Sequence, residues 1–289
     1  MVWKRMPSGI IDIDKIKSNV QKQMQGSSPK KKVNSDKSYI QTGIPGFDGL
    51  FEHGIPKQSN VLITGTPGSG KTIFCLQFLA WQARQGKNCL YISFEESRKR
   101  LIEHMNEFGW NADELIQQEN FRIQRQLSSD LYYEESETEG GVQAMMSKDT
   151  GNLVMDLEPF IIGGSGFKPD FTVIDSLTAV SSTFIGKEHS YRFYAERLFR
   201  FLEDVGSTNF LISGTNPAKK DSFLAGVEEF LSDGVIALYN VRRGNMRESA
   251  IEVVKMRGAK HEKKIVSMNI SDNGIVVYPN QEVFGDVTD

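Results

Sequence analysis

At 289 residues the chain carries 34 Lys and Arg against 37 Asp and Glu, a formal net charge of −3, with 39% hydrophobic residues. Those proportions describe a globular protein of one large domain or two small ones, and no apolar run approaches the ~18–20 residues that cross a bilayer. Two cysteines (Cys75 and Cys89) and four scattered histidines exclude a disulfide framework and zinc-type spacing. The setting expected is therefore reducing and cytoplasmic, without a signal peptide and without a metal site built from Cys and His.

The charge is uneven. Residues 1–37 hold nine Lys and Arg against three Asp. The run from Gln21 to Lys32 is polar and without a sustained period, so it cannot bury enough apolar surface to offset its ordering entropy. A basic flexible tail is expected, either simply solvated or an arm for nucleic acid or an acidic partner. From residue 38 to 280 strand and helix patterns alternate. This predicts an α/β domain with a mostly parallel central sheet flanked by helices. Residues 281–289 read as a C-terminal tail.

The first strand expected, Val61–Thr64, leads into Gly65-Thr66-Pro67-Gly68-Ser69-Gly70-Lys71-Thr72, a complete match to G-x-x-x-x-G-K-[ST]. An apolar-rich helix follows from Ile73. Strand, glycine-rich loop and helix together are what a phosphate-binding loop requires. The glycines let successive N–H groups converge on one anion, and the helix N-terminus adds partial positive charge. Thr66, Pro67, Gly68, Ser69, Gly70, Lys71, Thr72 and Ile73 are thus the candidate nucleotide-binding run. Lys71 would reach the β- and γ-phosphates, and the Thr72 hydroxyl would ligate Mg²⁺.

The next strand, Cys89–Phe94, ends in Glu95 and Glu96. Ligands bind at that carboxyl edge in open α/β sheets, and one of two adjacent carboxylates is favoured as a proton acceptor. Two acids opening a helix is the plainer reading, and both can hold, one for each residue. A helix over Arg98–Phe108 places Leu101, Met105 and Phe108 on one face. After a strand at Phe121–Gln124, residues 129–152 form an acidic insertion containing Asp130, Glu134, Glu135, Glu137 and Glu139. The strand Phe171–Asp175 then ends in Asp175, the candidate second Mg²⁺ carboxylate, expected on a strand neighbouring the phosphate loop.

A helix over Phe193–Val205 and a strand at Phe210–Ser213 complete the parallel part. Beyond residue 230 the pattern changes to consecutive strands, Gly234–Tyr239, Ser249–Met256, Ile265–Ile270 and Ile275–Tyr278. They predict an antiparallel β-meander. Within it Lys255 and Arg257 share one strand face while Met256 packs inward.

Taken in order, these motifs resemble the KaiC family of RecA-like ATPases, in the single-domain form common in archaea. Thr42-Gly43-Ile44-Pro45-Gly46-Phe47-Asp48-Gly49-Leu50 is similar to the family's lead-in to the phosphate loop, and Phe94-Glu95-Glu96-Ser97 to its catalytic glutamate pair. Phe108-Gly109-Trp110, Gly226–Asp233, Lys255-Met256-Arg257-Gly258 and Ile270–Ile275 follow in family order. The resemblance implies ATP and Mg²⁺ as cofactors and a homo-oligomeric, typically hexameric ring. Lys255 and Arg257 would then be supplied in trans to a neighbour's γ-phosphate, and His261 would touch the neighbour's nucleotide. Ala259 stands where the family often has Thr or Ser. Glu228-Glu229-Phe230 resembles an ATPase-only domain rather than the phosphorylated one. With no second phosphate loop, a clock oscillator is not expected.

Two roles fit such an ATPase. One is a regulatory switch acting on a partner protein. The other is a recombination or repair accessory binding single-stranded DNA through loops at Ser181–Ser190, with Lys187 and His189, and at Asn216–Leu224, with Lys219, Lys220 and Phe223.

Overall fold

The fold is that of a computed structural model, which describes residues 38–126, 166–184, 188–214, 225–243 and 246–283. The basic tail at 1–37, the acidic insertion at 129–152, the loop at Asn216–Leu224 and Lys187 lie outside the described residues. The described residues, all from Ser38 onward, belong to one compact unit.

Strands β1 (Tyr39–Ile40) and β2 (Ile55–Pro56) pair in a short antiparallel ladder around a 3₁₀ turn at Phe47–Leu50. Then come β3 (Asn60–Gly65), α1 (Lys71–Arg84), β4 (Cys89–Ser93), α2 (Arg98–Glu107), α3 (Ala112–Gln117), β5 (Phe121–Arg125) and β6 (Phe171–Asp175). The second half contains α4 (Leu177–Ser181), α5 (Glu188–Val205), β7 (Thr208–Ser213), α6 (Ala225–Leu231), β8 (Gly234–Arg243), β9 (Met246–Met256), β10 (Val266–Ser271) and β11 (Gly274–Glu282).

Nine strands form one sheet in the order β11-β10-β9-β8-β3-β7-β6-β4-β5. The six from β8 to β5 are parallel, and β8 through β11 are antiparallel. The predicted parallel core with a C-terminal meander is thus the architecture found. The small elements β1, β2, α3, α4 and α6 were not expected, since each is too short to carry a hydrophobic period.

Alternation along each central strand builds two cores. Val61, Ile63, Cys89, Tyr91, Phe210 and Ile212 face α1, whose Phe74 and Phe78 are fully buried. Leu62, Leu90, Ile92, Ile174 and Leu211 point to the other side, where α5 contributes Tyr191, Tyr194, Leu198 and Leu202. Burial on both faces explains why these strands read as continuous apolar runs rather than alternating ones.

Much of what resembles family motifs holds the meander against α1. Gln77 donates to the Ile275 carbonyl at 3.1 Å and accepts from its N–H at 2.6 Å, entirely within the core. Trp110, stacked on Phe108 at 4.8 Å, donates its indole N–H to the Asn273 carbonyl. In the lead-in, the Asp48 carboxylate accepts from the Thr42 N–H and hydroxyl and from the Gly43 N–H at 2.7–3.1 Å. Burial nevertheless raises the Asp48 carboxyl above its usual range. Cys75 and Cys89 are buried free thiols, as their apolar surroundings predict.

Candidate functional site

The loop after β3 leaves the carboxyl edge of the sheet and enters α1 through Gly70, which has a left-handed φ of +98° and no side chain to cap the first turn. The N–H groups of that turn therefore have no side-chain acceptor, and the positive end of a 14-residue helix faces the loop. Lys71 bends back over the loop and donates to the carbonyls of Gly65 and Thr66 at 2.9 and 3.0 Å. Burial lowers the Lys71 ammonium below its ordinary range, and the nearby Asp175 and Glu95 offset part of that. Beneath the loop, Ser69 Oγ is buried without a hydrogen-bond partner.

Asp175 ends β6, 4% exposed. Contrary to expectation, its strand does not neighbour the phosphate-loop strand, because β7 lies between β3 and β6. The start of α1 spans that gap, and Thr72 Oγ1 donates to Asp175 Oδ2 at 2.9 Å. The same oxygen accepts a 2.5 Å hydrogen bond from the hydroxyl of Tyr91, fully buried in the middle of β4. Burial raises the Asp175 carboxyl above its usual range. The Tyr91 and Thr72 hydrogen bonds offset this in part, while Glu95 and Glu96 add to it. A buried carboxylate beside a threonine hydroxyl suits a hard divalent cation with oxygen ligands. Among the described residues no group of three or more His, Cys, Asp and Glu side chains could hold a metal unaided. The residues therefore fit a Mg²⁺ shared with the phosphates of a nucleotide.

Glu95 and Glu96 follow β4, whose Ser93 pairs with Asp175. The two acids are held differently. Glu95 Oε1 accepts a very short hydrogen bond from Ser176, whose hydroxyl also caps α4 by accepting from the Ala179 N–H. Glu96 is fixed through its backbone, its N–H and carbonyl both meeting the Ser93 hydroxyl at 2.9 Å. Its carboxylate lies 3.6 Å from His104 Nδ1. Ser97 caps the helix that follows, whose first turn holds no acid, so Glu95 and Glu96 precede that helix instead of opening it as expected.

Part of this set lines a cleft of about 430 Å³, namely Gly68, Gly70, Lys71, Thr72, Glu96 and His104, with Phe108 and Ile270 as apolar walls, while Glu95 and Asp175 are not in its lining. The structure thus brings together the phosphate loop, Glu96 and, through Thr72, Asp175. His104, Phe108, Ile270, Tyr91 and Ser176 were not read from the sequence as site residues. His104 and Phe108 share a helix face by their i, i+4 spacing, which is a legible signal. Tyr91 is betrayed only by its polar tip in an otherwise apolar strand.

Lys255, Arg257 and His261 lie away from this cleft. Lys255 pairs with Val235 in β8, which pairs with Leu62, three residues before Gly65. That is about 10 Å back along the sheet from the loop. Arg257 lies just past the end of β9, in a turn rather than on the strand. Both cations nevertheless reach the same place, the last carbonyls of α6. Lys255 donates to the Glu229 carbonyl at 2.5 Å and Arg257 to that of Phe230 at 3.1 Å. Met256 between them is buried, as expected. His261 forms an isolated antiparallel bridge with Phe51, their rings 6.4 Å apart.

A parallel sheet with a glycine-rich loop at its carboxyl edge, and a lysine, threonine and aspartate gathered there, defines a P-loop ATPase fold of the RecA type. The family model described as ATPase: KaiC matches residues 40–282, and the chain belongs to that family. It is 32% identical over 244 residues to a UPF0273 protein of Thermotoga maritima, covering 84% of this chain and 96% of that one. It is 32% identical over 243 residues to the circadian clock protein KaiC3 of Synechocystis, and 29% over 245 residues to the circadian clock oscillator protein KaiC of Parasynechococcus marenigrum. Each of these covers 83% of this chain, which spans 45% and 44% of the respective clock protein, about half its length. A crystal structure of a KaiC-like protein from Pyrococcus horikoshii superposes with a TM-score of 0.68 at 27% identity, over 83% of this chain and 99% of that one. No helix among the described residues is long and apolar enough to cross a membrane.

Proposed function

We propose that this protein binds ATP with Mg²⁺, hydrolyses it, and works as an oligomeric regulatory switch. The observation that carries this reading is the convergence of Lys71, Thr72 and Asp175 beneath a cleft that Glu96 lines. In this reading the loop N–H groups and Lys71 hold the phosphates. Thr72 and Asp175 hold the cation, which when bound neutralises charge developing on the transferred phosphoryl group. The Glu95–Glu96 pair takes the proton from the attacking water, with Ser176 and Ser93 fixing its two members.

Lys255 and Arg257 act on a neighbouring copy. Support comes from their distance from their own loop and from the surface around them. Phe230 is 72% and Val254 48% exposed beside these cations, an apolar and basic face of the kind that a subunit contact covers. In a head-to-tail ring this face meets the nucleotide cleft of the next copy, and two cations there would stabilise transition-state charge.

The test is ATP turnover with Mg²⁺, with and without single-stranded DNA, on wild-type protein and on mixtures of Arg257→Ala with Glu96→Gln. Each variant alone should be inactive, and mixed rings should regain part of the activity. Absence of any wild-type turnover refutes hydrolysis, and absence of rescue refutes action in trans. Turnover stimulated by DNA would assign the recombination-accessory role in place of the protein-directed switch.

A further inference from the structure

We propose that Tyr91 is a positioning residue of the nucleotide–cation site, its buried hydroxyl fixing the Asp175 carboxylate so that Thr72 and the cation engage different oxygens. This rests on the ATP and Mg²⁺ reading above. The sheet register places it. Tyr91 pairs with Val173 and Ser93 with Asp175, so Tyr91 and Asp175 are diagonal neighbours on the face that α1 covers. A tyrosine is long enough to span such a diagonal, and its hydroxyl lies 2.5 Å from Asp175 Oδ2.

Two donors converge on that single oxygen, the Tyr91 hydroxyl at 2.5 Å and Thr72 Oγ1 at 2.9 Å. If the Thr72 lone pair is to ligate a cation, its one proton must go elsewhere, and Asp175 Oδ2 receives it. Thr72 by itself would leave the carboxylate free to turn about its single Cβ–Cγ bond. The second, rigidly packed donor removes that freedom and leaves Oδ1 for the cation or its water. The chemistry of the donor matters. A lysine or arginine at this position would neutralise the carboxylate and weaken its hold on a cation. A phenol supplies a hydrogen bond in a buried site without cancelling charge. A phenylalanine would fill the same core space and supply nothing.

The experiment is Tyr91→Phe with Mn²⁺ as the probe, its binding followed by electron paramagnetic resonance in the presence of ADP. ADP affinity is measured separately in EDTA, and the fold is checked by thermal unfolding. Mn²⁺ affinity is expected to fall about 10–100-fold, with ADP affinity in EDTA unchanged. A structural role alone would lower the melting temperature and leave Mn²⁺ affinity per folded molecule within twofold, and that result overturns the proposal. In an Asp175→Asn background the Tyr91 change should have no further effect on Mn²⁺. Should Tyr91→Phe fail to fold, recovery of folding by Asp175→Asn supports the assignment, because the hydroxyl then served the carboxylate. Failure of that recovery overturns it. Wild-type protein that binds neither ADP nor Mn²⁺ would instead sink the ATPase reading itself.

Discussion

Two glycines of the phosphate loop, given the same methyl group, should fail for different reasons and by different amounts. At Gly68, with φ at +78°, the nearest atom to an added Cβ is Asn240 Nδ2 at 4.0 Å. Gly68→Ala therefore carries the left-handed backbone term alone, about 1–2 kcal/mol. At Gly65, with φ at +154°, the Cβ would sit 2.3 Å from the Leu238 carbonyl oxygen and 2.6 Å from Ser69 Oγ. The Leu238 carbonyl belongs to β8, which is paired with β3 on one side and β9 on the other. It can move away only by displacing the central sheet. Overpacking of about 1–3 kcal/mol then adds to a backbone strain of about 1–2 kcal/mol, for a total of about 2–5 kcal/mol. At ~2–4 °C per kcal/mol for a domain of this size, Gly68→Ala should melt ~2–8 °C below wild type and Gly65→Ala further below, by ~4–20 °C. Thermal unfolding by circular dichroism without nucleotide reads this directly. Equal losses, or a milder loss at Gly65, would refute the argument that the β3–β8 approach dictates the first glycine of the loop.

Two further outcomes follow from buried polar groups. Glu228, 3% exposed and bonded by Tyr191, has its carboxyl raised by burial. A raised acid favours the folded state below its unfolded pKa, and that contribution is lost as pH rises through the higher folded value. Glu228→Gln should therefore raise the melting temperature at pH 7–8 and flatten its decline from the ordinary glutamate range upward. A variant less stable than wild type at pH 8 would contradict this. Ser176→Ala removes the hydroxyl holding Glu95 and capping α4. Stability should drop by about 1 kcal/mol, and kcat should fall about tenfold or more with ADP affinity unchanged. A kcat equal to wild type would separate Ser176 from the orientation of Glu95.

The phosphate loop was legible because its chemistry is local. Gly65 to Thr72 must be contiguous for successive N–H groups to converge, and the flanking strand and helix carry their own apolar patterns. The parallel strands were legible for a similar reason, since burial on both faces makes each a continuous apolar run bounded by polar residues. The KaiC resemblance rested on short motifs in order. Several of these, such as Asp48 with Thr42 and Trp110 with Asn273, turn out to serve packing between distant segments.

What lay beyond the sequence depends on strand order and register, which hydrophobic pattern does not encode. It identified Asp175 as the second carboxylate, yet only the sheet shows that β7 intervenes and that α1 crosses it to bring Thr72 within 2.9 Å. Tyr91 looked like one more core aromatic until the β4–β6 register put its hydroxyl under that aspartate. Lys255 and Arg257 read as partners on one strand face. The structure instead turns the chain after Met256 and brings both side chains to the end of α6. Composition and local spacing determined which residues could bind phosphate. How the site is completed was decided by long-range pairing, because Asp175 and Ile270 reach the phosphate loop from strands about a hundred or more residues along the chain.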